Sequence, residues 1–130
     1  MPFLDTREHG ADFSVIADLQ HRMERLLDEL DASAPHYAKA MQILEFTGDR
    51  RKSAVSDAFV AVRIGSAEIS ATECEHRARS SAGYKEKMKE LMKEQLHAET
   101  AKTHHHLLQT RLDVARSQLA CERAKIERGL

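Results

Sequence analysis

The chain has 130 residues, the size of one ordinary domain, with 32% charged, 42% hydrophobic and only 5% aromatic side chains and no Trp. Two Pro and five Gly are few turn residues for a sheet protein, and the dominant residues (Ala, Leu, Glu, Lys, Arg, Met and Gln) are good helix formers. The net charge of −1 hides an asymmetry: residues 1–46 hold four Lys/Arg against nine Asp/Glu, and residues 47–130 hold 16 against 12, a +4 segment that is modest beside a dedicated DNA binder.

Residues 1–11 lack periodicity and read as a flexible N-terminal arm, and Asp12 is placed to cap the helix that follows. From there large residues recur every seven positions, at Ile16, Met23, Leu30, Tyr37 and Leu44, with Leu19, Leu26, Ser33 and Ala40 as companions. This is a heptad seam that buries one stripe of a helix over residues 12–46. Pro35 interrupts it. Either Ser33 caps a separate second helix or one kinked helix continues, and the unbroken phase from Leu30 to Tyr37 favours one helix.

Thr47-Gly48-Asp49 predicts a turn, with Gly48 ending one helix and Asp49 capping the next over residues 50–82. That second helix opens on Arg50-Arg51-Lys52, which would oppose its dipole. Its seam is Val55, Phe59, Val62, Ile69 and His76. At Ser80-Ser81-Ala82-Gly83 the seven-residue phase shifts by one, then resumes at Tyr84, Leu91, Ala98, His105, Leu112, Leu119 and Ile126 over residues 84–128. Two architectures fit: one very long helix from residue 50, or a real turn near Gly83. The expected fold is therefore all-α, an elongated antiparallel helical hairpin or three-helix bundle with coiled-coil-like heptad seams, forming a single domain over residues 12–130.

Candidate chemistry is sparse. His104, His105 and His106 diverge by about 100° per residue on a helix and cannot face one metal. Only His105 occupies a seam position. Glu73-x-x-His76 and Glu94-x-x-His97 repeat the Glu-x-x-His pattern of metal-binding bundles, which makes Glu73, His76, Glu94 and His97 weak metal candidates in a chain otherwise expected to need no cofactor. Acidic neighbours at Glu73 and Glu75 disfavour a reactive Cys74 thiolate. No nucleophile elbow or phosphate-binding Gly loop is present, so no enzymatic activity is expected.

Arg50, Arg51, Lys52, Arg77, Arg79, Lys85 and Lys89 are the candidate contacts for nucleic acid or a protein partner, without the interleaved aromatics that stack single-stranded bases. Leu91, His105, Leu108, Leu112, Ala115, Leu119 and Ile126 are the candidate oligomer seam. Cys74 and Cys121 lie far apart without a CxxC, as in a reducing compartment. With no signal-peptide pattern and no apolar run near the ~18 residues of a membrane span, a soluble, cytoplasmic chain with no membrane partner is expected.

The stretch RLDVARSQLACERAKIE, residues 111–127, resembles the ending of small helical accessory proteins from the recombination and replication gene clusters of tailed bacteriophages. Leu112, Arg116, Ser117, Leu119, Glu122 and Arg123 carry the likeness, together with Thr47-Gly48-Asp49-Arg50-Arg51-Lys52. The resemblance implies a role beside a strand-annealing recombinase or nuclease. The expectation is a non-catalytic protein that self-associates and contacts DNA or a DNA-processing partner. The alternatives are a protein-binding adaptor or inhibitor, for example of a host system, and a metal-binding bundle.

Overall fold

The computed structural model describes residues 13–66 and 68–129. The arm expected over residues 1–11, and the Asp12 cap, lie outside the described residues. Among the described residues there are three helices and no strand: α1 (Phe13–Gly65), α2 (Ala71–Ser80) and α3 (Ala82–Gly129). The fold is all-α.

The helix boundaries differ from those expected. Instead of stopping at residue 46, α1 runs through Pro35 and through Thr47-Gly48-Asp49 for 53 residues. The reason is the buried stripe, which keeps its seven-residue step across the expected turn: Leu19, Leu26, Ser33 and Ala40 are buried, Thr47 half-buried and Ala54 buried. Packing along that stripe outweighs the ~1 kcal/mol that an interior Gly costs. Thr47 joins in locally, its hydroxyl donating to the Ile43 carbonyl at 2.7 Å. Arg50, Arg51 and Lys52 consequently sit inside a helix, and the expected conflict with a helix dipole does not arise. Gly48 is exposed, with nothing within 4 Å of where a Cβ would stand. Gly48→Ala should therefore raise stability by about 0.5–1 kcal/mol, read as a higher urea midpoint. A true turn at Gly48 would make the same change destabilising.

The break falls later, between Gly65 and Ala71. Ser70 starts α2, its hydroxyl accepting the Glu73 N–H at 3.1 Å. Ser81 then separates α2 from α3, so the second interruption lies at Ser81 and Gly83 belongs to the first turn of α3. Ser81 is extended (φ −67°, ψ 146°). Its hydroxyl donates to the Ala78 carbonyl at 2.7 Å and accepts the Tyr84 N–H at 3.2 Å. One serine thus ends one helix and caps the next.

The single domain expected over residues 12–130 divides into two compact units. Unit 1 takes residues up to His36 and from Thr103 onward; unit 2 takes Tyr37–Lys102. In unit 1, Leu26, Leu108, Leu112 and Ala115 form a buried cluster against which Met23 and Leu30 pack. Ser33 bonds His105 in the same unit. Seven residues back along α1 from Ser33 is Leu26; seven forward along α3 from His105 is Leu112. The two segments of unit 1 are therefore antiparallel, and one more step brings Leu19 level with Leu119, both buried.

Unit 2 buries Ala40, Ala54, Cys74, Ala78, Leu91 and Ala98. Four of these six are alanine, which lets helix backbones approach closely. His76, expected in the seam, is exposed, because α2 turns its Cys74 and Ala78 inward instead. No helix among the described residues is long and apolar enough to cross a membrane.

Candidate protein-binding face of unit 1

The expected oligomer seam is used within the chain. Leu91, His105, Leu108, Leu112, Ala115 and Leu119 are buried and Ile126 is half-buried in a single copy. In unit 1 the residues covering Leu108, Leu112 and Ala115 are Met23, Leu26 and Leu30 of α1. The stripe is covered within a single copy of the chain, so its buried residues are not free to zip with a second one.

Of the three consecutive histidines only His105 is buried. Its Nδ1 lies 2.7 Å from Ser33 Oγ, which in turn lies 3.0 Å from the Leu30 carbonyl. The proton positions follow from the network. Ser33 donates its one hydrogen to Leu30, so His105 Nδ1–H donates to Ser33 Oγ. The remaining ring nitrogen, Nε2, then accepts from the Gln109 amide at 3.4 Å, a long contact. No buried polar side-chain atom among the described residues lacks a partner. His105 is a structural histidine.

The metal candidates do not converge. Glu73 accepts from Arg77 at 3.0 Å and Glu94 accepts from Arg50 at 2.6 Å. His76 and His97 are exposed. Among the described residues no group of three or more His, Cys, Asp or Glu is placed to hold a metal ion.

Several of the candidate basic contacts are occupied within unit 2. Arg50 donates to both Glu94 oxygens, and Arg51 to the Gln95 side-chain oxygen. Arg77 and Arg79 pair with Glu73 and Glu75 one turn earlier. Exposed pairs of this kind contribute about 0–1 kcal/mol each, yet they cancel the local positive field. Lys52, Lys85 and Lys89 are exposed and form no ion pair among the described residues. The other side chains of note in this unit are structural. Cys74 Sγ lies 3.6 Å from the Phe59 carbonyl. Arg63 donates to the Ile69 carbonyl at 2.7 Å with its guanidinium 5.5 Å from the Phe59 ring centre.

Unit 1 holds an arrangement that sequence order concealed. Arg22, Arg25, Leu26 and Glu29 of α1 line one side of an open groove, with Thr110, Arg111 and Val114 of α3 on the other. Its volume is about 450 Å³. None of Arg22, Arg25 and Arg111 makes an ion pair or side-chain hydrogen bond with another described residue. Three guanidiniums and one carboxylate, Glu29, thus line a groove whose apolar lining is Leu26 and Val114. Arg22 and Arg25 flank the seam residue Leu26, and that adjacency was a signal available in the sequence; Arg111 joins them only through the antiparallel pairing.

The chain matches no family model, no curated protein and no solved structure. The surfaces of unit 1 offer apolar contact bordered by unpaired arginine, which is chemistry for holding carboxylate-bearing or phosphate-bearing macromolecules.

Proposed function

We propose that this chain is a non-catalytic helical accessory protein that works by binding another protein, its partner presenting an amphipathic helix with acidic flanks. The observation that carries this reading is the unit 1 groove, where Arg22, Arg25 and Arg111 border Leu26 and Val114. A helix laid in such a groove buries apolar side chains on the floor and offers carboxylates to the guanidiniums at the edges. Charge totals point the same way. The described residues of unit 1 carry seven Lys/Arg and eight Asp/Glu, and unit 2 carries 12 and 10, so neither unit has the single-signed field that phosphate recognition exploits.

A second reading is DNA contact, in keeping with the resemblance to phage recombination accessory proteins. Lys52, Lys85 and Lys89 favour it, being exposed cations of unit 2 without a partner among the described residues.

One experiment separates the two. The full chain is titrated with a synthetic helical peptide carrying Leu at heptad spacing and Glu beside it, with the same peptide carrying Lys, and with a duplex DNA. The Glu peptide should bind, the Lys peptide should not, and Arg22→Glu/Arg25→Glu should reverse the preference. Binding to DNA that weakens about 10³-fold or more between ~50 and ~200 mM salt, with no discrimination between the peptides, would overturn the protein-binding reading in favour of the second.

A further inference from the structure

α2 is the shortest helix among the described residues, 10 residues set between two interruptions. The chain leaves α1 at Gly65 and becomes helical again only at Ala71, with Ser70 as the cap. At the other end, extended Ser81 breaks the helix before α3. α2 carries its own helix signals. Glu73 lies in its first turn and Arg77 and Arg79 in its last, and both placements complement the helix dipole. Its ion pairs, Glu73 with Arg77 and Glu75 with Arg79, are internal and move with it.

Little holds α2 against the rest of unit 2. Only Cys74 and Ala78 are buried, at 0% and 1% exposure, and neither is a large apolar side chain. Its other eight residues are exposed. By contrast, α1 and α3 between them bury six leucines. The polar ties are also few. Cys74 Sγ lies 3.6 Å from the Phe59 carbonyl, a weak sulfur contact. Arg63 donates to the Ile69 carbonyl at 2.7 Å with its guanidinium 5.5 Å from the Phe59 ring centre, which fastens the segment before Ser70 onto α1. A detached helix of this length is marginal in water, so α2 melts when it lifts.

We infer that α2 is a strap that opens locally while α1 and α3 stay paired. Opening uncovers Cys74 and the part of α1 around Phe59, and closing hides them again. Segments with few buried apolar contacts form the low-stability end of a structure, and here breaks at both ends isolate such a segment. Arg63 acts as the latch, through the Ile69 carbonyl. This device belongs to unit 2 and does not depend on the groove of unit 1. Cys74 is its built-in reporter, because a thiol with no exposed surface meets a water-soluble reagent only in the open state.

The test uses the full chain with Cys121→Ser, which leaves Cys74 as the one thiol. Its rate with dithiobisnitrobenzoate, divided by the rate in the urea-unfolded chain, gives the open fraction. That fraction should exceed the globally unfolded fraction at least tenfold. Below the unfolding transition it should be nearly flat with urea, since little surface is exposed. Ser70→Ala, which removes the cap, should raise the rate about fivefold. Arg63→Met, which keeps an apolar stem and loses the donor, should raise it at least twofold. Two variants away from α2 should lower global stability and leave the rate within twofold: Leu108→Ala in unit 1, and Ala98→Gly, about 24 Å along α3 from Ala82. A rate that matches the globally unfolded fraction, or that climbs with either distant variant, would overturn the inference by assigning the exposure to larger unfolding. So would a rate equal to that of the unfolded chain, which would mean that α2 does not cover Cys74, or a rate that neither Ser70→Ala nor Arg63→Met raises.

Discussion

Leu108→Ala is expected to destabilise the protein by about 3 kcal/mol, within the 2–5 kcal/mol range for deleting a buried leucine in a close-packed core. Leu108 is 1% exposed and belongs to the unit 1 cluster with Leu26, Leu112 and Ala115. Removing three carbons there loses transfer energy and leaves a cavity that the two packed helices close only in part. The neighbour Leu107 supplies the control. It is 44% exposed on the other face of the same helix, so Leu107→Ala should cost about 0.5 kcal/mol or less. Urea unfolding followed by circular dichroism measures both changes, with the slope unchanged if only the native state is affected. Equal costs at 107 and 108 would mean that α3 presents a different face to α1.

The second large effect concerns Ser33 and His105. Ser33→Ala should cost about 1 kcal/mol, since it removes the buried 2.7 Å hydrogen bond between Ser33 Oγ and His105 Nδ1. Replacing both groups, Ser33→Ala with His105→Leu, should recover most of that loss, because a buried polar pair is often no more stabilising than apolar side chains of similar volume. What the double variant should lose is register. Both stripes repeat every seven residues, so a slip of one heptad still sets apolar stripe against apolar stripe. Within the two unit 1 stripes the polar pair marks the native alignment, since a slip would set His105 opposite Leu26 or Ala40, whose side chains carry no acceptor. Amide hydrogen exchange reads this directly: single-site protection across unit 1 in the wild type, against weaker and heterogeneous protection in the double variant. An unchanged urea midpoint in Ser33→Ala would show that the 2.7 Å contact carries no weight.

Much of this pairing was legible in the sequence. The seven-residue recurrence located Leu19, Leu26, Ser33 and Ala40 on α1, and Leu91, Ala98, His105, Leu112 and Leu119 on α3, all of them buried. The emphasis within α1 was inverted. Ile16, Met23, Leu30, Tyr37 and Leu44 are only half-buried, whereas their companions Leu19, Leu26, Ser33 and Ala40 sit at the centre. Both sets share the seven-residue step, so periodicity alone does not say which of the two neighbouring rows faces the partner helix.

The breaks were misplaced for a related reason. Thr47-Gly48-Asp49 has turn chemistry, but turn propensity of about 1 kcal/mol yields to a continuous buried stripe. The true interruption carried its own mark, Gly65 followed by Ser70-Ala-Thr-Glu73, the Ser-x-x-Glu pattern of a helix start. The arginine groove was less accessible still. Charge was read along the chain, which drew attention to the run Arg50-Arg51-Lys52, whereas Arg111 meets Arg22 and Arg25 only after two segments separated by most of the sequence have paired.

The antiparallel pairing in unit 1 also sets a timetable. Leu26 waits for Leu112, and Leu19 for Leu119, so the α1 stripe of unit 1 is made well before the residues that cover it. At about 5–20 residues per second, that delay lasts several seconds. All of Tyr37–Lys102 is synthesised in the interval, so unit 2 has its full set of residues before unit 1 does. During that time Leu19, Leu26 and their neighbours have no α3 stripe to cover them.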